Sequence, residues 1–305
     1  YIGGGTPSIL SEAQIKTLAQ IIEQNFGPVK NFKESTFEAN PESLTEPKLK
    51  LLKTLGFNRL SIGMQSLADK ELKAIKRAHT KAQFLAAYKT AQKYFDNINI
   101  DIIAGLPGQT LAGFKKTLQG ALALAPRHVS VYGLQAEEGT PLYDGGFEPD
   151  DKLGRQMLEL AASYLKKAGY EHYEISNFAK RGAQSLHNIN YWQNGQYLGL
   201  GAAAASYIKG ARAANTEDLQ KYIKGGKKDI CERLRGKAKV GETILLGLRM
   251  LGGLELTPVM QKYFGKDFAE LKKQKLIKQN KNNMRLSKEG LFMANIVFRH
   301  FVEPF

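Results

Sequence analysis

Apolar and polar residues repeat along the first 180 positions with two different periods. Short runs rich in β-forming residues recur at STFEA (from Ser35), RLSIG (Arg59), NINIDIIAG (Asn97), HVSVYGL (His128) and HYEIS (His172). Between them lie stretches with the helical period, apolar residues three and four apart. Ser11 and Gln14 open SEAQIKTLAQIIEQNF in a capping-box pattern, and Thr80 and Thr110 open TKAQFLAAYKTAQKYF and TLAGFKKTLQGALAL similarly. Strand, helix and strand at this spacing predict parallel βαβ units. INIDIIAG reads as apolar on both faces, as a sheet covered by helices requires. In such folds ligands sit at the carboxyl ends of the strands, so the residues just after each run are the candidates for chemistry.

After Lys180 the pattern changes. A stretch that reads as loop-rich runs to about Gly236 and is followed by a small helical unit. Its predicted parts are a helix in VGETILLGLRML, another around DFAELKKQ, a two-stranded wing with NKNN between LIKQ and MRLS, and a Ser287-capped helix ending near Val302. Helices followed by a wing predict a winged-helix-like module. Three segments are therefore expected: 1–180, 181–236 and 237–305.

Composition narrows the class without naming it. The 305 residues are 43% apolar and 24% charged, ordinary globular usage. No apolar run approaches the roughly 18 residues that cross a bilayer. The nearest, YLGLGAAAASYI from Tyr197, reads as buried core. The first residues form a turn motif with no basic leader. The single cysteine, Cys231, excludes internal disulfides and an all-cysteine metal cage within this sequence, and a reduced, cytoplasmic setting is expected. The net charge of +15 attracts anions, whether nucleic acid, acidic lipid or a ligand with several carboxylates, and the excess is heaviest after Lys209.

The strand ends carry an ordered set of polar residues. GGGTP spans Gly3 to Pro7, EANP Glu38 to Pro41, GMQS Gly63 to Ser66, KRAHT Lys76 to Thr80, and IDIIAGLPGQT Ile100 to Thr110. GGGTP lacks both the lysine of a phosphate-binding loop and the spacing of a dinucleotide fingerprint. Two carboxylates, an amide, a guanidinium and a glycine loop on one rim suit a zwitterionic, ribose-bearing ligand. The glycine backbone would take its ammonium, Arg77 its carboxylate, and Glu38 or Asp101 its ribose hydroxyls. Asp101 lies inside an apolar strand and therefore needs a partner.

GGGTPS, EANP, RLSIGMQS, RAHT, NIDIIAGLPGQT and YEISNFAK resemble, in order and spacing, the radical S-adenosylmethionine (SAM) enzymes of the oxygen-independent coproporphyrinogen III oxidase family. The resemblance covers nearly the whole chain. It implies a partial (β/α)6 barrel lacking its first βα unit, and SAM contacts from Gly4, Gly5, Thr6, Glu38, Gln65, Arg77 and Asp101, with Gln135 a further candidate. The family hangs a 4Fe–4S cluster from three cysteines in a C-x3-C-x2-C loop before the glycine loop, and clusters of this kind need thiolates. Cys231 lies in the wrong segment. YIGGGTP is thus expected to be the second barrel strand, with on the order of 30 residues before it in the natural protein. The 305 residues as they stand supply no electron for reductive cleavage of SAM.

SLHNINYWQNGQYLGLGAAAAS contains H-N-x-x-Y-W: His187, Asn188, Tyr191 and Trp192. A histidine beside aromatic residues offers an iron ligand and a stacking wall for a porphyrin, although a histidine hydrogen-bonded in a loop beside a core tryptophan would read the same. The motif resembles that of the family's haem-chaperone branch, whose members bind haem and pass it to respiratory haem proteins. That resemblance implies His187 as haem-iron ligand and haem-accepting, membrane-associated partners. Where relatives read G-x-G-A-H-S this chain reads GAAAAS, with Ala203 in place of a glycine and Ala205 in place of a histidine. Two alternatives stay open: an oxygen-independent coproporphyrinogen III oxidase, and a nucleic-acid-binding winged-helix module. KKQKLIKQ offers the latter no evident base-reading face.

Overall fold

In the computed structural model, which describes residues 1–226 and 230–302, the β-rich runs of the first half become one six-stranded sheet. β1 (Thr36–Ala39), β2 (Arg59–Gln65), β3 (Ile98–Ala104) and β4 (His128–Gly133) lie side by side in parallel. Ile2 bridges Phe37 in the same sense, so the chain entering the glycine loop runs beside β1. The helices between them start where the caps predict. Ser11 and Gln14 close a capping box on Glu12–Phe26, Thr80 and Gln83 another on Lys81–Ala91, and Thr110 caps Leu111–Ala123.

Two expectations are corrected here. HYEIS does follow a crossover helix, Asp151–Lys167, and runs in the same direction as β4. It does not pair with β4, because the chain turns back and lays a further strand between them. β5 (Glu171–Glu174) and β6 (Asn177–Ala179) form an antiparallel hairpin, and the strand order is β1-β2-β3-β4-β6-β5. Only Ile175 and Ser176 separate the arms, far short of the dozen residues a parallel crossover needs. Nor is the sheet apolar on both faces. Strict alternation gives one apolar face, with Phe37, Leu60, Ile62, Met64, Ile98, Ile100, Ile102, Val129 and Val131 buried against the helices. The other face carries Glu38, Arg59, Ser61, Asn99, Asp101, His128 and Ser130.

The chain divides into two compact units, Tyr1–Gln184 and Ser185–Phe305, where three segments were expected. The stretch read as loop-rich holds a helix, Leu186–Trp192, a short helix, Leu219–Ile223, and an antiparallel sheet of β7 (Ala205–Ile208), β8 (Ala211–Ala214) and β9 (Ile230–Glu232). YLGLGAAAASYI is not core. Tyr207 is buried, but Leu198 and Leu200 are 51% and 65% exposed. The segment is short enough to lie along the sheet, tied by the Gly199 N–H to Ser206 Oγ at 3.0 Å and by Asn215 Nδ2 to the Gly201 carbonyl at 2.8 Å. Its tyrosines turn inward and its leucines outward.

The rest of this unit follows the predicted order. Helix Gly236–Gly247 precedes β10 (Leu254–Glu255), helix Pro258–Lys273 and the hairpin β11 (Ile277–Asn280)–β12 (Asn283–Leu286), in a sheet ordered β10-β12-β11. The Ser287-capped helix is two short ones, Lys288–Phe292 and Ala294–Arg299, broken at Met293. Phe264, Phe268, Phe301, Ile244, Leu248 and Met284 fill the core between them. Among the described residues, no helix is long and apolar enough to cross a membrane.

Candidate functional site

Glu38 organises the glycine loop. Its carboxylate accepts the Gly4 N–H and the Tyr1 hydroxyl, and a Cβ on Gly3 would stand 2.7 Å from its carboxyl carbon. Only glycine lets the loop pass this close. Gly4, at φ +87°, and Gly5 face open space, where their backbone groups can meet a ligand. Burial raises the Glu38 carboxyl above its ordinary range, and the nearby charge of Asp101 pushes it further.

Asn40, from EANP, ties the other candidates together. Its Nδ2 lies 3.3 Å from Thr6 Oγ1, and its Oδ1 accepts from Arg77 Nη1 at 3.4 Å. Gln65 is buried at φ +62°, where β2 shifts register against β3, and a Cβ on Gly63 would meet its amide nitrogen at 2.8 Å. Asp101 has the partners its burial demands: Asn99 Nδ2 at 2.8 Å and Ser61 Oγ at 3.1 Å. Burial raises its carboxyl as well, while hydrogen bonds from Ser130, Asn99 and Ser61 pull it back. The structure thus gathers Gly4, Gly5, Thr6, Glu38, Gln65, Arg77 and Asp101 at the loop and the sheet's polar face. Gln135 is exposed two residues beyond β4 and makes no hydrogen bond to any of them among the described residues. Asn40, Ser61, Asn99, His128 and Ser130 were not singled out from the sequence. For all but Asn40, which follows β1 in EANP, the signal was the period of two in RLSIGMQ, INID and HVSVY.

In the second unit the H-N-x-x-Y-W residues occupy the helix Leu186–Trp192, whose first turn is capped by Ser185 Oγ accepting the Asn188 N–H. Four-residue spacing puts His187 and Tyr191 on one stripe and Asn188 and Trp192 on the next. His187 meets Tyr191 edge-to-face at 4.6 Å between centroids, and Tyr191 meets Tyr197 at 4.4 Å. The Arg249 guanidinium lies 4.1 Å over the Trp192 ring, and the Trp192 indole N–H is buried without an acceptor among the described residues. Just beyond the helix, Asn194 donates to Glu242 Oε2 and to Thr243 Oγ1, both at 3.1 Å. Glu242 in turn accepts from Arg212 Nε at 2.6 Å and Lys239 Nζ at 2.7 Å. Burial pushes Glu242 upward, but these hydrogen bonds outweigh it and hold the carboxyl below its ordinary value.

The family model described as the Radical SAM superfamily matches residues 1–120. The Heme chaperone HemW of Bacillus subtilis (strain 168) is 36% identical over 320 residues, spanning 99% of this chain and 84% of the relative. The chain belongs to the HemW family. The Heme chaperone HemW of Lactococcus lactis is 35% identical over 318 residues, again covering 99% and 84%. The fold matches the solved coproporphyrinogen III oxidase HemN of Escherichia coli with a TM-score of 0.84, over 99% of this chain and 77% of that one, at 23% identity. At that identity HemN shares the fold. HemW membership agrees with the expectation drawn from the glycine loop, EANP, RAHT and H-N-x-x-Y-W.

One departure from the family pattern has a measurable consequence. Ala203, where relatives are expected to carry glycine, sits at φ +59°, a left-handed conformation that a Cβ disfavours by about 1–2 kcal/mol. Glycine regains that strain but loses more unfolded-state entropy. Ala203→Gly is therefore expected to stabilise the protein by about 0.5–1 kcal/mol, read as a higher denaturant midpoint at unchanged slope. A lowered midpoint would mean that the strain is relieved in solution.

Proposed function

We propose that this chain is a haem chaperone, which binds haem at the helix Leu186–Trp192 and passes it to haem proteins, while its other unit holds SAM. The observation that carries this reading is the gathering of the H-N-x-x-Y-W side chains on one short capped helix. It offers an imidazole, an aromatic wall and an indole donor with no acceptor among the described residues, the donor set a metalloporphyrin suits. His187 would ligate the iron, Tyr191 and Trp192 would wall the macrocycle, and Asn188 would hydrogen-bond at its edge. Ala205 lies exposed on β7 and offers no second ligand.

In the first unit the donor set fits SAM. The open backbone at Gly4 and Gly5, with Thr6, would hold the amino group and Arg77 the carboxylate. Glu38 and Asp101 would take the ribose hydroxyls, with Gln65 and Gln135 completing the set. SAM supplies an adenosyl sulfonium when bound. A 4Fe–4S cluster does not fit the residues present, because the one cysteine, Cys231, is exposed in the other unit; no step is derived through it. The parallel run β1–β4, with Ile2 beside β1, supports reading this unit as a partial (β/α)6 barrel without its first βα unit in these residues. The helices and β10-β12-β11 sheet support a winged-helix-like module. The net charge of +15 suits propionates and acceptors at an anionic membrane, reached from the cytoplasm.

Titrating haem into the purified protein is expected to shift the Soret band, with His187→Ala weakening binding at least about tenfold. No shift in either protein would sink the reading. Anaerobic conversion of coproporphyrinogen III would favour the oxidase instead. Steeply salt-dependent nucleic-acid binding that survives His187→Ala would favour the third alternative.

A further inference from the structure

The polar face of the first sheet carries a hydrogen-bond chain whose direction is fixed from one end. As a carboxylate, Asp101 can only accept. Its Oδ1 lies 2.8 Å from Asn99 Nδ2 and its Oδ2 3.1 Å from Ser61 Oγ. Asn99 therefore turns its amide nitrogen toward Asp101, and its Oδ1 faces His128 Nδ1 at 2.6 Å. An acceptor that close requires a proton on Nδ1. His128 is wholly buried, and burial, with help from the Arg59 charge, lowers its pKa well below the ordinary value, so the ring carries that one proton. Nε2 is then a lone pair, and the Tyr173 hydroxyl, 2.8 Å away, donates to it. Tyr173 to His128 to Asn99 to Asp101 runs one way only. Tyr173, His128 and Asn99 are all buried, so water does not compete for these bonds.

We infer that Tyr173, His128 and Asn99 are positioning residues for the ribose site, holding Asp101 as an oriented acceptor that reads the ribose hydroxyls as donors. This rests on the assignment of Asp101 to SAM made above. Asn99, together with Ser61 and Ser130, donates to the carboxylate from within the sheet, and the acceptor capacity that remains is left for a ligand hydroxyl. The chain's first donor comes from β5, so the edge hairpin has a part in ligand recognition. The amide is the component that matters most. Reversed, Asn99 would present an oxygen to Asp101 and repel the acceptor it now supports.

The test uses S-adenosylhomocysteine, an adenosyl probe that needs no cluster, and its 2′,3′-dideoxyribose analogue, with affinities measured calorimetrically on the purified protein. Asn99→Asp places a second acceptor against Asp101. It is expected to weaken S-adenosylhomocysteine on the order of tenfold or more and to bring the affinity ratio of the two ligands toward one. Tyr173→Phe removes only the first donor, keeps the ring, and is expected to give a smaller loss of roughly three- to tenfold with the same narrowing of the ratio. That second variant keeps the test open if Asn99→Asp fails to fold. Wild-type affinity and ratio in both variants would overturn the inference. So would equal losses for both ligands, the signature of general loosening. A wild-type protein that binds neither ligand, or does not discriminate between them, would remove Asp101 from the ribose site and the chain's role with it.

Discussion

Glu242→Ala is expected to destabilise the Ser185–Phe305 unit by about 2–3 kcal/mol and to weaken haem binding with it. Removing one member of a buried ion pair costs about 3–5 kcal/mol, because the partner is left uncompensated. Here the Glu242 side chain is 12% exposed while Arg212 and Lys239 keep 29% and 30%, so water recovers part of the loss. The carboxylate also receives Asn194, just past the last turn of the H-N-x-x-Y-W helix, so its loss frees the end of that helix. A pH series isolates the electrostatic part. The folded-state pKa of Glu242 lies below its ordinary value of 4.5, so its contribution is present in full above that value and is lost as pH falls through the folded value. The stability gap between wild type and Glu242→Ala should hold near neutrality and shrink below about pH 4.5. A gap that is constant down to acid unfolding would assign the effect to packing alone.

Gly290→Ala should cost at least about 3 kcal/mol, above the usual range for overpacking, since the obstacle is backbone. Gly290 lies in the helix Lys288–Phe292, and a Cβ there would fall 1.8 Å from the Leu276 carbonyl oxygen. That carbonyl already accepts the Ser287 N–H at 2.9 Å, so it cannot turn aside without undoing the start of the helix. The displaced helix would pull on the buried Val297, Phe298 and Phe301 that follow it. Denaturant unfolding of the variant should show a large fall in midpoint. A change below about 0.5 kcal/mol, the usual range for surface substitutions, would mean that the two backbones separate freely.

These two positions mark where reading the sequence stops. Caps, strand positions and their order were legible, because Ser11, Thr80, Thr110 and Ser287 act on residues three places away. So was most of the candidate site, since a parallel sheet brings strand ends together and the motifs stood at those ends. Gly290 reads as an ordinary helix glycine; the carbonyl it grazes belongs to Leu276, just before β11 and 14 residues earlier, which no local pattern shows. Glu242 reads as a solvated charge beside Lys239, and its other partners, Arg212 and Asn194, are 30 and 48 residues away. The edge hairpin was missed because HYEIS was read as a lone strand and NFA, its return arm, was not read as a strand. The polar face was missed for a different reason. NINIDIIAG was judged by its apolar content, when its alternation held the answer.

That alternation also decides which kind of damage a substitution does. On β2 and β3 the even-numbered residues, Leu60, Ile62, Met64, Ile98, Ile100 and Ile102, hold the unit together, while the odd-numbered Ser61, Asn99 and Asp101 touch one another on the polar face. Adjacent residues in one strand therefore fail differently. Variation at the even positions would show as loss of protein in the cell, and, on the SAM site proposed above, variation at the odd ones as protein present in normal amount but unable to recognise its nucleoside.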